Sequence, residues 1–174
     1  MEEIFPVQII LGSKNDRTVV DESGMLDILQ KLVVPWSISY ISAHRHAGEL
    51  LDYCREVIKN GAKVFITAAG MMPALPGVVA SATKAETPVI GVVLDSPTIS
   101  GKDTIATAVS MPKGTPVLFA GIGKYGLANA AIAAAQILAV DNPPLRERLL
   151  AFRAENNPEP EIGVESSKTY KSKC

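Results

Sequence analysis

The chain has 174 residues, and its 17 Lys and Arg against 18 Asp and Glu give a net charge of −1. This balance gives no reason to expect a nucleic-acid partner or a polybasic membrane patch. Only two cysteines are present, Cys54 and Cys174, which excludes a disulfide framework and a Cys-rich zinc site. The first residues are acidic without an apolar signal core, and no run is typical of a membrane span, so we expect a cytoplasmic protein with no membrane partner.

Short apolar runs alternate with segments of helical periodicity along the chain. The pattern predicts strands at residues 7–11, 36–41, 63–68, 88–94 and 116–120. It predicts helices at residues 17–33, 48–60, 76–84, 103–111, 127–140 and 145–155. The alternation predicts one three-layer α/β/α domain over residues 1–155, with a parallel five-stranded sheet, and a polar, mobile tail over residues 156–174.

Charged residues are unevenly distributed, because residues 63–140 carry only 8 of them in 78 positions. A single small domain is expected to expose more polar surface than this. Either the strands and helices of this segment are unusually buried, or subunit contacts cover it. We expect both, and therefore a homo-oligomer.

In parallel α/β sheets the ligand site lies beyond the carboxyl ends of the strands. The loops expected there, each rich in Ser, Gly, Asp or His, are residues 12–16, 42–45, 69–75 and 95–101. In the first loop, Gly12 permits close approach of the backbone, Ser13 offers a hydroxyl, and the following helix start attracts an anion. The loop could hold a phosphate, with Asp16 on ribose hydroxyls, or it could be an ordinary turn in which Asn15 or Asp16 caps the helix.

The chain's only two histidines, His44 and His46, both lie at the second loop. Burial after a strand and the neighbouring guanidinium of Arg45 would both favour a neutral imidazole at His44, the form that acts as a base. Arg45 could hold a phosphate or carboxylate through two hydrogen bonds. The alternative is a surface histidine of no special role. With no third histidine in the chain and no carboxylate near the two histidines until Glu49, the spacing disfavours a metal site.

The third loop, within residues 68–77, is made mostly of small residues and leads into Pro76 at a helix start. Its backbone N–H groups could hold a carboxylate or CO2-like group, or the loop could be a tight packing connection. Met71 and Met72 are predicted to be packing residues, and Cys54 is predicted to be a core residue on the apolar face of its helix.

Several short motifs in these segments resemble those of the N5-carboxyaminoimidazole ribonucleotide mutases and the related aminoimidazole ribonucleotide carboxylases of purine biosynthesis. They cover residues 7–140 in the right order and spacing. The motifs are Gly12-Ser13-x-x-Asp16, Ser42-Ala43-His44-Arg45, Leu75-Pro76-Gly77, Pro88-Val89-Ile90-Gly91-Val92, Gly101-x-Asp103, Met111-Pro112-x-Gly114-x-Pro116-Val117, Ile122-Gly123, Asn129-Ala130-Ala131 and Ala134-Ala135-Gln136-Ile137-Leu138.

The resemblance implies a flavodoxin-like fold and a homo-octamer whose sites are shared between subunits. It implies a small ribonucleotide substrate and CO2, and no metal, ATP or organic cofactor. In the mutase branch, an isomerase, the carboxylate leaves N5 of the substrate as CO2 and is reattached at C4 of the same imidazole. In the carboxylase branch, free CO2 is the donor.

Site roles follow from the resemblance by position. His44 is similar to the family's general acid/base, Ser42 and Arg45 to its phosphate contacts. Ser13 and Asp16 resemble its ribose-phosphate contacts, with Gly12 giving room. The remaining substrate-binding positions implied by the resemblance are in the third loop, which surrounds the imidazole and CO2 in the family. They are Ala69, Gly70, Met71 and Leu75.

The chain also departs from the family pattern. Ala74 stands where the mutases carry a second histidine, and His46 stands where a Thr is usual. Arg45 stands where the carboxylase branch usually has Lys, and that branch's Arg-Ser-Asn is absent from the third loop. Leu75-Pro76-Gly77 and Arg45 favour the mutase branch. Two alternatives remain, a carboxy-lyase using CO2 directly on this or a related nucleotide, and a non-catalytic nucleotide-binding relative.

Overall fold

The fold is a parallel sheet between two layers of helices, seen in a computed structural model that describes residues 5–72, 74–84, 86–94, 105 and 109–156. The strands are β1 Val7–Leu11, β2 Trp36–Tyr40, β3 Val64–Ala69, β4 Val89–Val93 and β5 Leu118–Ile122. Their order is β2-β1-β3-β4-β5, and every pair is parallel. This is the flavodoxin-like strand order, which confirms the predicted fold class.

A 3₁₀ turn and six helices cover the sheet in the described part of the chain. They are the turn Lys14–Asp16 and helices α1 Arg17–Glu22, α2 Met25–Lys31, α3 Ala47–Lys59, α4 Ala74–Ala82, α5 Gly123–Leu138 and α6 Pro143–Asn156. Helices α1, α2, α5 and α6 contribute to the hydrophobic cluster on one face, and α3 and α4 to the cluster on the other. The sheet is therefore the middle of three layers.

The central strands are buried on both faces, as their continuous apolar sequences predict. In β1, Val7, Ile9 and Leu11 belong to one cluster and Ile10 to the other. Phe65 of β3 is also fully buried. Each such side chain stabilises the fold by about 1.5–3 kcal/mol relative to an exposed position. The carboxyl ends of β1, β2 and β3 are thereby held side by side, and their loops emerge at one edge of the sheet.

The single helix predicted over residues 17–33 is wrong, because the chain forms α1 and α2 instead. Gly24, at the start of α2, has a φ of 72°, a left-handed conformation that ends the first helix. The hydroxyl of Ser23 then accepts from the N–H of Met25 at 3.1 Å. A left-handed glycine at the N-cap, preceded by a serine that binds the N–H of Met25, therefore starts a new helix.

Other boundaries also differ from the sequence prediction, and helix α4 lies two residues earlier than predicted, at Ala74–Ala82. Helix α6 begins at Pro143, because prolines are tolerated in the first turn and the Asn142 Oδ1 accepts from the N–H of Leu145 at 3.1 Å. Strand β5 lies two residues later than predicted, and its pairing with β4 shifts register between Gly91 and Val92. Most of the helix predicted over residues 103–111, and the tail beyond residue 156, fall outside the described residues.

The start of α5 lies against the end of β5 at very close range. Gly121 has a φ of 127°. A Cβ atom placed on Gly126 would lie 2.5 Å from the carbonyl carbon of Gly121, closer than any real contact. Helix α5 therefore begins at Gly123, four residues before the predicted start, because glycines let it approach the strand.

Candidate active site

An open cavity of about 630 Å³ lies at the carboxyl edge of the sheet. It is formed by the loops that follow β1, β2 and β3. Its lining consists of Gly12, Ser13, Asn15, Asp16, Ser42, Ala43, His44, Arg45, Ala69, Gly70, Met71, Met72 and Leu75. Three of the four loops that the sequence places at this edge therefore meet in one cavity.

The first loop is ordered by hydrogen bonds within itself. The N–H of Ser13 donates to Asp16 Oδ2 at 2.9 Å, and the N–H of Asn15 donates to Ser13 Oγ at 3.2 Å. The N–H of Gly12 donates to the Ala68 carbonyl at 3.2 Å, which ties the loop to β3. Ser13, rather than Asn15 or Asp16, supplies the side-chain cap, and Asp16 closes the capping box.

The second loop presents its polar side chains to solvent. His44, Arg45 and His46 are all exposed, so the burial predicted for the His44 imidazole is wrong. The loop turns through the Ser42 carbonyl, which accepts from the N–H groups of Arg45 at 3.3 Å and His46 at 2.9 Å. His44 and Arg45 line the cavity, whereas His46 is not part of its lining.

The third loop supplies an apolar wall. Ala69 and Leu75 are buried at its ends, and the side chains of Met71 and Met72 are 58% and 63% exposed. The packing role predicted for both methionines is therefore wrong, since they border the cavity. Met71 has a φ of 57°, a left-handed conformation that costs a non-glycine residue about 1–3 kcal/mol.

All ten residues predicted for the site line the cavity. Sequence reasoning missed Asn15, Ala43 and Met72, which lie in the same three loops; their position between predicted residues was the signal that could have found them. The predicted fourth loop, residues 95–101, falls outside the described residues.

The cavity lining combines polar and apolar side chains. Asp16, His44 and Arg45 supply charged or titratable groups, while Ala69, Met71, Met72 and Leu75 supply apolar surface. Partial burial raises the pKa of Asp16 above its ordinary value, and the hydrogen bond from the Ser13 backbone opposes this rise. The arrangement suits a ligand with an anionic, hydroxyl-rich end and a flat, less polar end.

The described residues contain neither a cluster of metal-ligating side chains nor a membrane-spanning helix. No three His, Cys, Asp or Glu side chains in these ranges come together in a group that could hold a metal ion. Among the helices of the same ranges, none is both long and apolar enough to cross a membrane.

The structure defines an α/β protein with an open cavity at the carboxyl edge of its sheet, and comparison with known proteins identifies its family. The family model described as AIR carboxylase matches residues 6–159. The N5-carboxyaminoimidazole ribonucleotide mutase of Haemophilus influenzae is 39% identical over 92% of this chain and 99% of its own length. The N5-carboxyaminoimidazole ribonucleotide mutase of Pseudomonas aeruginosa is 38% identical over 88% of this chain and 96% of its own length.

A solved structure, Treponema denticola PurE, shares the fold with a TM-score of 0.75 and 24% identity, over 86% of this chain and 90% of that one. The protein belongs to the AIR carboxylase family. The predicted family resemblance is therefore confirmed.

Proposed function

We propose that the chain is an isomerase of purine biosynthesis that moves the carboxyl group of N5-carboxyaminoimidazole ribonucleotide from N5 to C4. The observation that carries the proposal is the meeting of three of the predicted loops in one cavity, with His44 and Arg45 in its lining. The names of relatives that are 37–40% identical over most of the chain support the same reaction.

The cavity lining offers partners for both the polar and the less polar parts of the substrate. In this proposal Ser42 and Arg45 bind the phosphate, since a guanidinium can donate two parallel hydrogen bonds to it. Ser13 and Asp16 bind the ribose-phosphate, and Gly12 leaves space for it. A Cβ on Gly12 would meet Ala69 at 3.6 Å, an ordinary contact, so the protein itself does not require the glycine. The imidazole then lies along the apolar wall of Ala69, Gly70, Met71 and Leu75.

His44 is the general acid/base in this mechanism. The bond from N5 to the carboxyl carbon breaks and gives CO2, and His44 donates a proton to N5. C4 then attacks CO2 to form a carbon–carbon bond, and His44 takes the proton that C4 loses. One imidazole serves both steps, because the proton given in the first is recovered in the second.

A direct carboxylase, formally a carboxy-lyase, is the second candidate. Ala74 at the position of the mutases' second histidine is the observation that favours it. Two assays separate the candidates: the carboxyamino substrate in carbonate-depleted buffer, and aminoimidazole ribonucleotide with bicarbonate. Turnover only in the first supports the isomerase, and turnover only in the second supports the carboxylase. No turnover in either contradicts both and leaves a non-catalytic nucleotide-binding protein.

The proposal includes a homo-octamer of one-domain subunits, each with its domain over residues 1–155, acting in the cytoplasm where nucleotide precursors are made. Exposed apolar side chains support association: Leu118 is 51%, Ile122 38% and Tyr125 86% exposed. Light scattering of the eluted protein tests the assembly, and a monomer would contradict it.

A further inference from the structure

Four polar side chains form a continuous hydrogen-bonded group beneath α3, which we call the Gln8 cluster (Gln8, Ser37, Ser39 and Tyr53). The hydroxyls of Ser37 and Tyr53 donate to Gln8 Oε1 at 2.6 and 2.8 Å. The hydroxyl of Ser39 donates to that of Tyr53 at 2.7 Å. Gln8 Nε2 donates to the Phe5 carbonyl at 2.7 Å, and Gln8 is only 4% exposed.

The cluster joins three elements that flank the second loop of the site. Gln8 lies on β1, Ser37 and Ser39 lie on β2, and Tyr53 lies on α3. Residues 41–46 connect the end of β2 to the start of α3. The cluster therefore fixes both ends of the loop that carries His44 and Arg45 relative to the sheet.

Other contacts of α3 constrain its position along the sheet less strictly. Its fully buried side chains are Leu50 and Cys54, whose apolar packing is not directional. His46, at the N-cap, makes no side-chain capping hydrogen bond. Hydrogen bonds have narrow distance and angle ranges, so the bonds from Tyr53 set the position of the helix along its axis.

The second loop has little side-chain support of its own. Within the described ranges, no hydrogen bond or ion pair holds the side chain of His44 or of Arg45. The direction of both side chains therefore depends on the backbone of the loop, and a shift near 1 Å at a catalytic group can cost about 100-fold in rate.

We propose that Gln8 and Tyr53 are positioning residues, which act on His44 and Arg45 through α3 and β2. This inference rests on the proposed function for its kinetic consequence, but its structural consequence can be measured separately. Tyr53→Phe keeps the ring and removes the hydroxyl, so Ser39 loses its acceptor and Gln8 loses one of its two donors.

The test compares Tyr53→Phe with Thr83→Val, which removes one buried hydroxyl elsewhere in the molecule. The hydroxyl of Thr83 donates to the Ala80 carbonyl at 3.0 Å at the end of α4, away from the cluster. We expect Tyr53→Phe to lower kcat/KM about 5- to 20-fold at a temperature well below its Tm. Thr83→Val should lower the Tm by a similar amount and leave kcat/KM within about twofold.

Hydrogen exchange of peptides covering residues 41–46 provides a readout that needs no substrate. Exchange should be several-fold faster in Tyr53→Phe and in the milder Ser39→Ala, and unchanged in Thr83→Val. The double variant Gln8→Met with Tyr53→Phe should cost less in kcat/KM than the product of the two single effects, because both remove the same constraint.

Unchanged exchange in residues 41–46 would overturn the inference whatever the activity. Equal kcat/KM in Tyr53→Phe and wild type would also overturn it, provided that wild type turns over. A wild-type protein inactive on both substrates would contradict the proposed function alone, and the exchange data would still decide the positioning role.

Discussion

The first and second loops of the site are held in different ways. The first loop, residues 12–16, is a closed unit in which Ser13 and Asp16 bind each other's backbone, and it is attached to β3. The second loop, residues 41–46, is exposed at its functional positions and precedes a helix without a side-chain cap. Its support comes from the Gln8 cluster underneath.

The two kinds of support fit the different roles proposed for the two loops. A locally closed loop keeps its shape when other parts of the molecule change, which suits binding of the ribose-phosphate. The second loop depends on the Gln8 cluster, so its shape should change when that cluster is altered. Substitutions in the first loop should therefore act on affinity and local stability. Substitutions that displace His44 in the second loop should act on the chemical step, and those at Ser42 and Arg45 on affinity.

The largest effect is expected from His44→Asn. Loss of a general acid/base lowers kcat by roughly 100-fold or more, while substrate affinity persists because the first loop is intact. Turnover assays and isothermal titration with the substrate measure the two quantities. His46→Asn is the control, since His46 does not line the cavity, and near-normal turnover in His44→Asn would refute the assigned role.

Ser13→Ala is expected to raise KM about 5- to 10-fold with little change in kcat, since one charge-assisted contact contributes about 1.5 kcal/mol. It should also destabilise the protein by about 0.5–2 kcal/mol, because the N–H of Asn15 loses the hydroxyl that accepts its hydrogen bond. Ser23→Ala removes a similar hydrogen bond, from the N–H of Met25 to the serine hydroxyl, outside the cavity. A KM that rises equally in both variants would argue against a substrate contact at Ser13.

Asp16→Asn should separate stability from binding in the first loop. Burial raises the folded-state pKa of Asp16 above 3.8, so the wild-type fold loses stability as pH rises through that raised pKa. The neutral amide avoids this loss, so the variant should have a slightly higher Tm at pH 7, by about 2 °C or less, and no advantage below pH 3.8. KM should rise.

Thermal melts of Asp16→Asn across this pH range test the sign, with Asp141→Asn as a control for removal of one surface charge. A variant less stable than wild type at pH 7 would show that the hydrogen bond from Ser13 outweighs the burial of the carboxylate.

The smallest effect on turnover is expected from Cys54→Ala. The thiol is fully buried, and burial raises its pKa to about 11, so it is protonated and unreactive at neutral pH. The variant should keep wild-type kcat and lose about 1 kcal/mol of stability through the small cavity left in the core. Thiol labelling of the intact protein, compared with labelling after unfolding, checks the burial independently.

Much of the fold could be predicted because it depends on apolar periodicity. The runs that became β1, β3 and β4 are continuous and buried on both faces, which is the pattern of a central parallel strand. Predictions failed where one residue had a local role that periodicity does not show. Gly24 divides a helix, and Pro143 starts one.

The sequence was enough to predict most of the residues that line the cavity, but not how exposed each of them is. Loop position relative to the strands is enough to bring Ser13, His44 and Gly70 to one edge. Exposure of His44 and of the two methionines depends on how far each loop projects from the sheet, which is a tertiary property. The Gln8 cluster was not predicted at all, because its members are far apart in sequence and carry no motif.

The close contact between Gly121 and Gly126 limits which residues position 126 can hold. Every L-amino acid other than glycine brings a Cβ, and at position 126 that atom would lie 2.5 Å from a backbone carbon that cannot rotate away. A saturation library at position 126 should therefore return glycine alone among active clones. Position 126 should therefore stay glycine even where neighbouring positions of β5 and α5 accept other residues.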